Sequence, residues 1–340
     1  MKVLLHAWQK NHYLYEGLVN NLGVSKVISY LPSIFSTRYG DTGDFYDSTE
    51  LLESIDEFDL IIFTPRSFYD RNFKLILNRY TSAIKVFMDL EDDFLLRNII
   101  KHNEIRFYFK RELIENIRRT YWVHWYLRSF YASVLLPPVH RKIGFPVDKL
   151  NFLPYRTAYN SISDKKLKGF PLSIGTSESE NAINGGEKYH DLFYCMSLNG
   201  IKERKYYFEI LKRDSSNLGT NTLVKPGGLS KEKYIHALKN SKASVSIRGM
   251  GFDTDRYWEI PAYESMLISM RLPLNIRENF VDLESALFFQ TYEELKVKFS
   301  KYVIHSNEWI EIMNRGHQKY LKFHTPTARV RDSLLSIIKS

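Results

Sequence analysis

Residues 240–271 read NSKASVSIRGMGFDTDRYWEIPAYESMLISMR. Ala243 to Ile247 is a short β-prone run in which Ala243, Val245 and Ile247 alternate with serine. It ends at Arg248-Gly249-Met250-Gly251, where glycines let the backbone turn tightly. Asp253, Thr254 and Asp255 then offer N-caps for a helix. A strand, a glycine turn and an open helix N-terminus together suit a diphosphate, because unpaired N–H groups and roughly half a positive charge point at the ligand. Arg256 and Glu259 stand three apart and share one helix face. A guanidinium beside phosphates and a carboxylate that accepts from both hydroxyls of a ribose would together recognise a nucleoside diphosphate. An ordinary surface pair at i,i+3 is the plain alternative.

Working outward, the same strand–helix rhythm recurs. Lys2-Val3-Leu4-Leu5-His6 is a buried-type strand, and Tyr13 to Leu22 is the helix after it, ended by Gly23. Ser25–Tyr30, Phe58–Pro65 and Ala83–Met88 are further strands, the last running into the acidic Asp89-Leu90-Glu91-Asp92-Asp93. Residues 104–131 read as helical and aromatic. The pattern weakens between about 150 and 187, around Pro154, Pro171 and a Ser/Glu/Asn/Gly-rich run, which marks an interdomain region. Asp191–Met196 restarts the rhythm, with helices expected near 202–213 and 230–241. Thr325-Pro326 supplies an N-cap and a first-position proline, and Val330, Leu334, Leu335, Ile337 and Ile338 then form an apolar stripe at helical spacing. Strands alternating with helices predict α/β architecture with mostly parallel sheets.

The chain has 340 residues, enough for about two domains with their own cores. Cys195 is its single cysteine, which excludes an intrachain disulfide and points to a reducing compartment, the cytoplasm. The opening apolar run stops at His6, too short for a signal peptide or a membrane span, so a soluble or membrane-peripheral protein is expected. Net charge is +9, which favours acidic partners: nucleic acid, an anionic membrane face or a sugar nucleotide. Residues 101–170 hold 14 basic against 5 acidic side chains, a balance of +9, whereas 41–100 hold 6 against 13, a balance of −7. Within 101–142, Arg and Lys interleave with Phe107, Tyr108, Trp122, Trp125 and other aromatics. That composition suits an acceptor platform for an acidic partner, or a core helix pair with a charged outer face.

The words Ser241-Lys242, Ser244, Arg248-Gly249, Gly251, Arg256 and Glu259-Ile260-Pro261-Ala262, followed by an apolar strand, resemble the donor-binding segment of GT-B glycosyltransferases. The nearest group by these words is the CgeB/YkvP-like spore-protein set, related to the group 1 glycosyltransferases and similar here to exostosin domains. Phe109-Lys110-Arg111-Glu112-Leu113, Phe170-Pro171-Leu172 and His324-Thr325-Pro326 stand where such proteins often carry similar words. The match is good over the C-terminal half and scattered in the N-terminal half. It implies two Rossmann-like domains with a cleft between them: 1–172 binding the acceptor, 173–322 binding a nucleotide sugar, and 323–340 a C-terminal helix crossing back. Group 1 enzymes carry two glutamates separated by seven residues, and Glu259 matches the second, the ribose-binding one. Gly251 occupies the position of the first, so that sugar contact is missing. Glu264 stands where the family has a glycine closing the helix.

The resemblance implies a nucleotide-sugar-dependent glycosyltransferase, UDP-sugars included, of the type that needs no essential divalent metal. Arg248, Gly249, Gly251, Arg256, Glu259 and Arg204 are its donor-binding candidates, and Lys225 before Pro226-Gly227-Gly228 is a looser one. A base, required if the reaction inverts configuration, is sought at Asp89 or Asp92, where an apolar strand ends at the ligand-binding edge of an open sheet. His6, at the end of the first strand, competes for that role. Each has an alternative as a helix cap or a hydrogen-bonded core residue, and the acidic run 89–93 also has the spacing of a metal-chelating cluster. The acceptor is a glycan or lipid-linked saccharide, with the modified bases of phage DNA as the alternative. A non-catalytic nucleic-acid-binding or coat-associated protein is the reading outside enzymology.

Overall fold

The computed structural model describes residues 1–6, 13–32, 45–46, 57–65, 67, 70, 72–89, 103–110, 167–169, 188–198, 202–215, 221–249, 252–272, 274 and 276–339. The chain forms two compact units: Met1–Tyr15 with Leu22–Phe170, and Glu16–Asn21 with Pro171–Ser340.

In the first unit, β1 (Val3–His6), β2 (Val27–Pro32), β3 (Phe45–Tyr46), β4 (Leu60–Phe63), β5 (Ile84–Asp89), β6 (Ile105–Lys110) and β7 (Leu167–Gly169) form one sheet in the order β3-β2-β1-β4-β5-β6-β7. Every pairing in it is parallel. β1 and β4 are buried along their whole length, as parallel strands covered on both faces require. Helix α1 (Tyr13–Leu22) follows β1, and α2 (Phe73–Arg79) turns Phe73, Ile76 and Leu77 into a core shared with Leu4, Ile61, Phe63 and Phe87.

Two expectations are corrected here. Ile105 to Lys110, read as the start of a helical stretch, is strand β6, paired in parallel with β5. Its Ile and aromatic side chains fit a pleated surface, and Ile105, Tyr108 and Phe109 are buried in the sheet. Leu167–Gly169, inside the interdomain region where the pattern weakens, adds the edge strand β7 to the same sheet. The remainder of the 111–142 basic stretch lies outside the described residues.

The second unit contains β8 (His190–Cys195), α3 (Lys202–Arg213), β9 (Thr222–Lys225), α4 (Lys231–Lys239), β10 (Ser241–Ser246), α5 (Asp255–Ala262), β11 (Met266–Met270) and β12 (Leu287–Phe289). Its sheet runs β12-β11-β10-β8-β9, again all parallel. The serines of β10 do not mark a solvent face. Ser244 and Ser246 are buried, where Ser244 Oγ meets Ser265 Oγ at 2.8 Å and Ser246 Oγ meets Thr254 Oγ1 at 3.2 Å. Paired hydroxyls avoid the cost of buried unsatisfied donors.

Helices α6 (Tyr292–Phe299), α7 (Glu308–Phe323), α8 (Pro326–Arg329) and α9 (Ser336–Lys339) complete this unit, with π-helical turns at Ser300–Ile304 and Val330–Leu335. Thr325 caps α8 by accepting from Ala328 N, and Pro326 takes the first turn. Val330, Leu334, Leu335 and Ile338 are buried. Gly17 lies so close to Pro326 O and Val330 that a Cβ there would overlap both. Asn20 and Asn21 donate to Thr327, at 3.0 Å and 2.9 Å.

Candidate functional site

In both sheets the chain order reverses beside the first strand. β1 lies between β2 and β4, and β8 lies between β9 and β10. At such a switch point the loops leave in opposite directions and open a crevice at the carboxyl ends of the strands.

In the second unit the carboxyl ends of β8 and β10 gather arginines. Arg204, in the first turn of α3, donates from Nε to Arg248 O at 2.9 Å and reaches the carbonyls of Ser197 and Ile247 at 3.4 Å. It ties the loop after β8 to the end of β10. Arg248 donates from both Nε and Nη2 to the one oxygen Glu203 Oε1. Burial pushes the Glu203 carboxyl up, and the Arg248 guanidinium, with the residue's own backbone N–H and Lys202, more than reverses it, leaving it below the usual range. Arg256, on the first turn of α5, donates from Nε to Cys195 O at 2.8 Å. Among the described residues neither Arg204 nor Arg256 meets a carboxylate within ion-pair distance. Burial and then the neighbouring Arg256 lower the pKa of Arg204, so the guanidinium groups sense one another. Three cations against the carboxylates of Glu203 and Glu259 leave net positive charge at the switch point, a setting for an anion.

Glu259 is on the same helix as Arg256, and Tyr234 of α4 joins them. Its hydroxyl donates to Glu259 Oε2 at 2.9 Å, and the Arg256 guanidinium lies over its ring, 5.2 Å from the centroid. Burial, then the negative Glu259, raises the Tyr234 hydroxyl well above its ordinary pKa. Sequence reading missed Tyr234, since nothing in Lys231–Lys239 separates it from a helix residue packing on the sheet. Cys195 is buried beneath this cluster, and its thiol is pushed up by burial while the backbone N–H groups of Gly227 and Leu229 bond to it. Gly227 adopts φ 94°, with the backbone of Met196–Ser197 3.3 Å from where its Cβ would sit, so glycine is required at this turn.

The start of α5 uses its three expected caps differently. Thr254 occupies the N-cap position, but its hydroxyl turns to Ser246. Asp253 is buried and accepts from Trp258 Nε1 at 2.6 Å, while Asp255 is exposed in the first turn. Gly249 ends the described part of the turn, and Gly251 lies outside the described residues. The helix closes at Glu264, which takes φ 56° where a glycine would sit without strain. Ser265 N bonds to Ile260 O at 3.1 Å and Glu264 N to Pro261 O at 3.4 Å, a Schellman ending. Lys188 clasps this end, donating to Glu264 O and Lys239 O, and burial pushes its ammonium down to about 8.

In the first unit His6 and Asp89 sit at the carboxyl ends of β1 and β5, and both are fully buried. His6 Nδ1 is 2.8 Å from Ser67 Oγ and Nε2 is 3.0 Å from Asp70 Oδ2. Rings of Tyr30, Phe63 and Phe73 pack around it. Burial lowers its pKa against the pull of Asp70, keeping the imidazole neutral. Asp89 accepts from Tyr108 OH. Asp92 and the rest of the acidic run lie outside the described residues. Ser67 and Asp70 were not singled out in the sequence, because their link to His6 spans more than 60 residues.

Residues 213–334, about a third of the chain, match the model of a family described as glycosyl transferase-like. A search of curated proteins by sequence finds no match. Among solved structures, the chain is similar to OtsA in its apo form, at TM-score 0.57 and 9% identity, covering 99% of each chain. A glycosyltransferase from Rickettsia africae is similar at TM-score 0.56 and 9% identity, covering 99% of this chain and 98% of that one. HepE from Anabaena in complex with UDP is similar at TM-score 0.52 and 8% identity, covering 99% of this chain and all of that one. A match to TarM spans 83% of this chain and 55% of that chain. The two parallel sheets with their flanking helices and these full-length neighbours define an α/β fold of the GT-B class. Among the described residues, no helix is long and apolar enough to cross a membrane.

Proposed function

We propose that this chain is a glycosyltransferase that moves a sugar from a nucleoside-diphosphate sugar to an acceptor hydroxyl. The observation that carries it is the convergence of Arg204, Arg248, Arg256 and Glu259 at the switch point of the second sheet, the last three inside the segment similar to the glycosyl transferase-like family. Breaking the anomeric bond puts charge on the departing diphosphate. Fixed cations and the N–H groups at the start of α5 stabilise that charge without a reorganising solvent. Glu259 takes the ribose. With cations in place for the leaving group, no essential divalent metal is needed.

Residues 1–172 supply the acceptor side, and 323–340 pack as the closing helical segment. If the reaction inverts configuration, the base comes from Asp89, Asp92 or His6. His6 and Asp89 are buried and hydrogen-bonded, which favours Asp92 for direct contact with an acceptor and leaves the other two as supports. The excess of basic side chains in 101–170 supports an acidic acceptor, a lipid-linked glycan at a membrane surface or DNA. The motif words favour the CgeB/YkvP-like set within the class.

A thermal-shift panel of UDP, GDP, ADP and their sugar conjugates, with manganese or EDTA, tests the reading. One nucleotide at a hundredfold excess over its Kd is expected to raise Tm by about 5 °C, equally in EDTA. No shift with any nucleotide overturns the donor site. Turnover lost in EDTA and restored by manganese overturns the metal-independent mechanism.

A further inference from the structure

Resting on the donor reading above, we propose that Tyr234 is a positioning residue that sets the ribose selectivity of the site, by holding the Glu259 carboxylate and the Arg256 guanidinium in one fixed relation. Both residues proposed to recognise the nucleoside diphosphate touch the same side chain. The phenol hydroxyl donates to Glu259 Oε2 at 2.9 Å, and the Arg256 guanidinium carbon lies 5.2 Å from the ring centroid.

The surroundings lock the ring. The Phe193 ring of β8 lies 5.7 Å from it, and α4 is anchored at its start by the Ser230 cap. Arg256 is fixed from its other side by Cys195 O, at the end of the same strand. Glu259 and Tyr234 therefore connect α5 to α4, two helices that both pack against β10. A carboxylate on a flexible side chain can meet a ribose in several rotamers. One held by a phenol presents its acceptor oxygens at one orientation, and rotamer entropy is not lost again on binding. The hydroxyl stays protonated and a donor at all ordinary pH values, since burial and Glu259 both oppose its ionisation.

The geometry separates two effects of Tyr234. The ring supports Arg256 and hence the diphosphate, while the hydroxyl supports Glu259 and hence the ribose. Removing the hydroxyl alone should impair discrimination at the sugar and spare the phosphate contact. Such a split is not expected of a residue that only packs the core.

The test measures, by calorimetry on the full chain, the Kd of UDP, GDP and ADP beside their 2′-deoxy forms, for wild type, Tyr234→Phe, Glu259→Gln and the double variant. Tyr234→Phe is expected to weaken the preferred ribonucleotide about tenfold, the loss of a hydrogen bond to a charged group, and to change its 2′-deoxy form by less than about twofold. The double variant should bind no more weakly than Glu259→Gln. If Tyr234→Phe folds poorly, Glu259→Gln alone still reads the ribose preference, and a wild-type preference that it leaves intact overturns the inference. Wild-type binding with an unchanged ribose preference in Tyr234→Phe overturns the role of Tyr234 alone. Equal weakening of ribo and deoxy forms makes the residue structural and overturns it too. No nucleotide binding by wild type overturns the donor reading, and this inference with it.

Discussion

The two sheets place functional-type residues at equivalent points, the carboxyl ends of strands beside a chain reversal, and treat them in opposite ways. At the end of β1, His6 is enclosed by aromatic rings and held at both nitrogens by Ser67 and Asp70. At the ends of β8 and β10, Arg204 and Arg256 are only partly buried and spend their donors on backbone carbonyls. A histidine with both nitrogens satisfied in the dark contributes to stability. A guanidinium whose partners are neutral carbonyls keeps its charge uncompensated and contributes to binding. The same topological position is therefore no guide to role, and the chemistry of the partners decides.

That contrast can be broken experimentally. The largest effect is expected from Asp70→Ala, which leaves His6 Nε2 and the Tyr30 hydroxyl without this acceptor in a buried site. It should cost about 3 kcal/mol in denaturant unfolding and leave nucleotide affinity unchanged. An affinity loss with intact stability would move His6 and Asp70 into the working site. Arg256→Ala should do the reverse: about 2 kcal/mol of nucleotide affinity lost, with Tm within a few degrees of wild type. Near-normal binding and turnover in this variant would sink the donor assignment.

The third effect depends on pH. His6 and His324 are neutral in the fold because burial lowers both, and for His324 the nearby Arg329 adds to it. The unfolded chain binds protons at these residues below about pH 6.5, so their full contribution is present above that pH and is lost as pH falls. Each should remove up to about 1.4 kcal/mol per pH unit below 6.5, and unfolding curves at pH 7.5 and 5.5 measure it. A profile in His324→Gln as steep as wild type would remove His324 from the account. Smallest is Glu264→Gly. Relief of the left-handed φ of 56° outweighs loss of the 3.6 Å contact to His317, a net gain of about 1 kcal/mol. A lower Tm would mean that the His317 contact dominates.

Much of the second unit was legible because its signals are local. The helix at Lys202–Arg213 and the cap and proline at Thr325-Pro326 were read at their observed places, since hydrophobic period and capping chemistry act within one or two turns. The misreading at Ile105–Lys110 has a physical origin: aromatic side chains suit a helix face as well as a pleated sheet. The neighbouring strands β5 and β7, paired with it on its two sides, chose the sheet. Glu264 was noticed as a departure from glycine. That its backbone nevertheless adopts the glycine-like conformation depends on the Schellman bonds and the Lys188 clasp, which bring together residues from 188, 239 and 264.

The amino-acid sequence alone determined the alternation of strands and helices in the second unit and the placement of Arg256 and Glu259 on one helix. Those follow from periodicity and backbone sterics, which reach only a few residues. Tertiary structure decided what these residues do for one another. Tyr234 joins Arg256 to Glu259 across 22 and 25 positions, and Asp70 and Ser67 enclose His6 across 64 and 61. Partners so far apart in the chain meet only when parallel strands bring their carboxyl ends to one edge, and no local preference encodes that meeting.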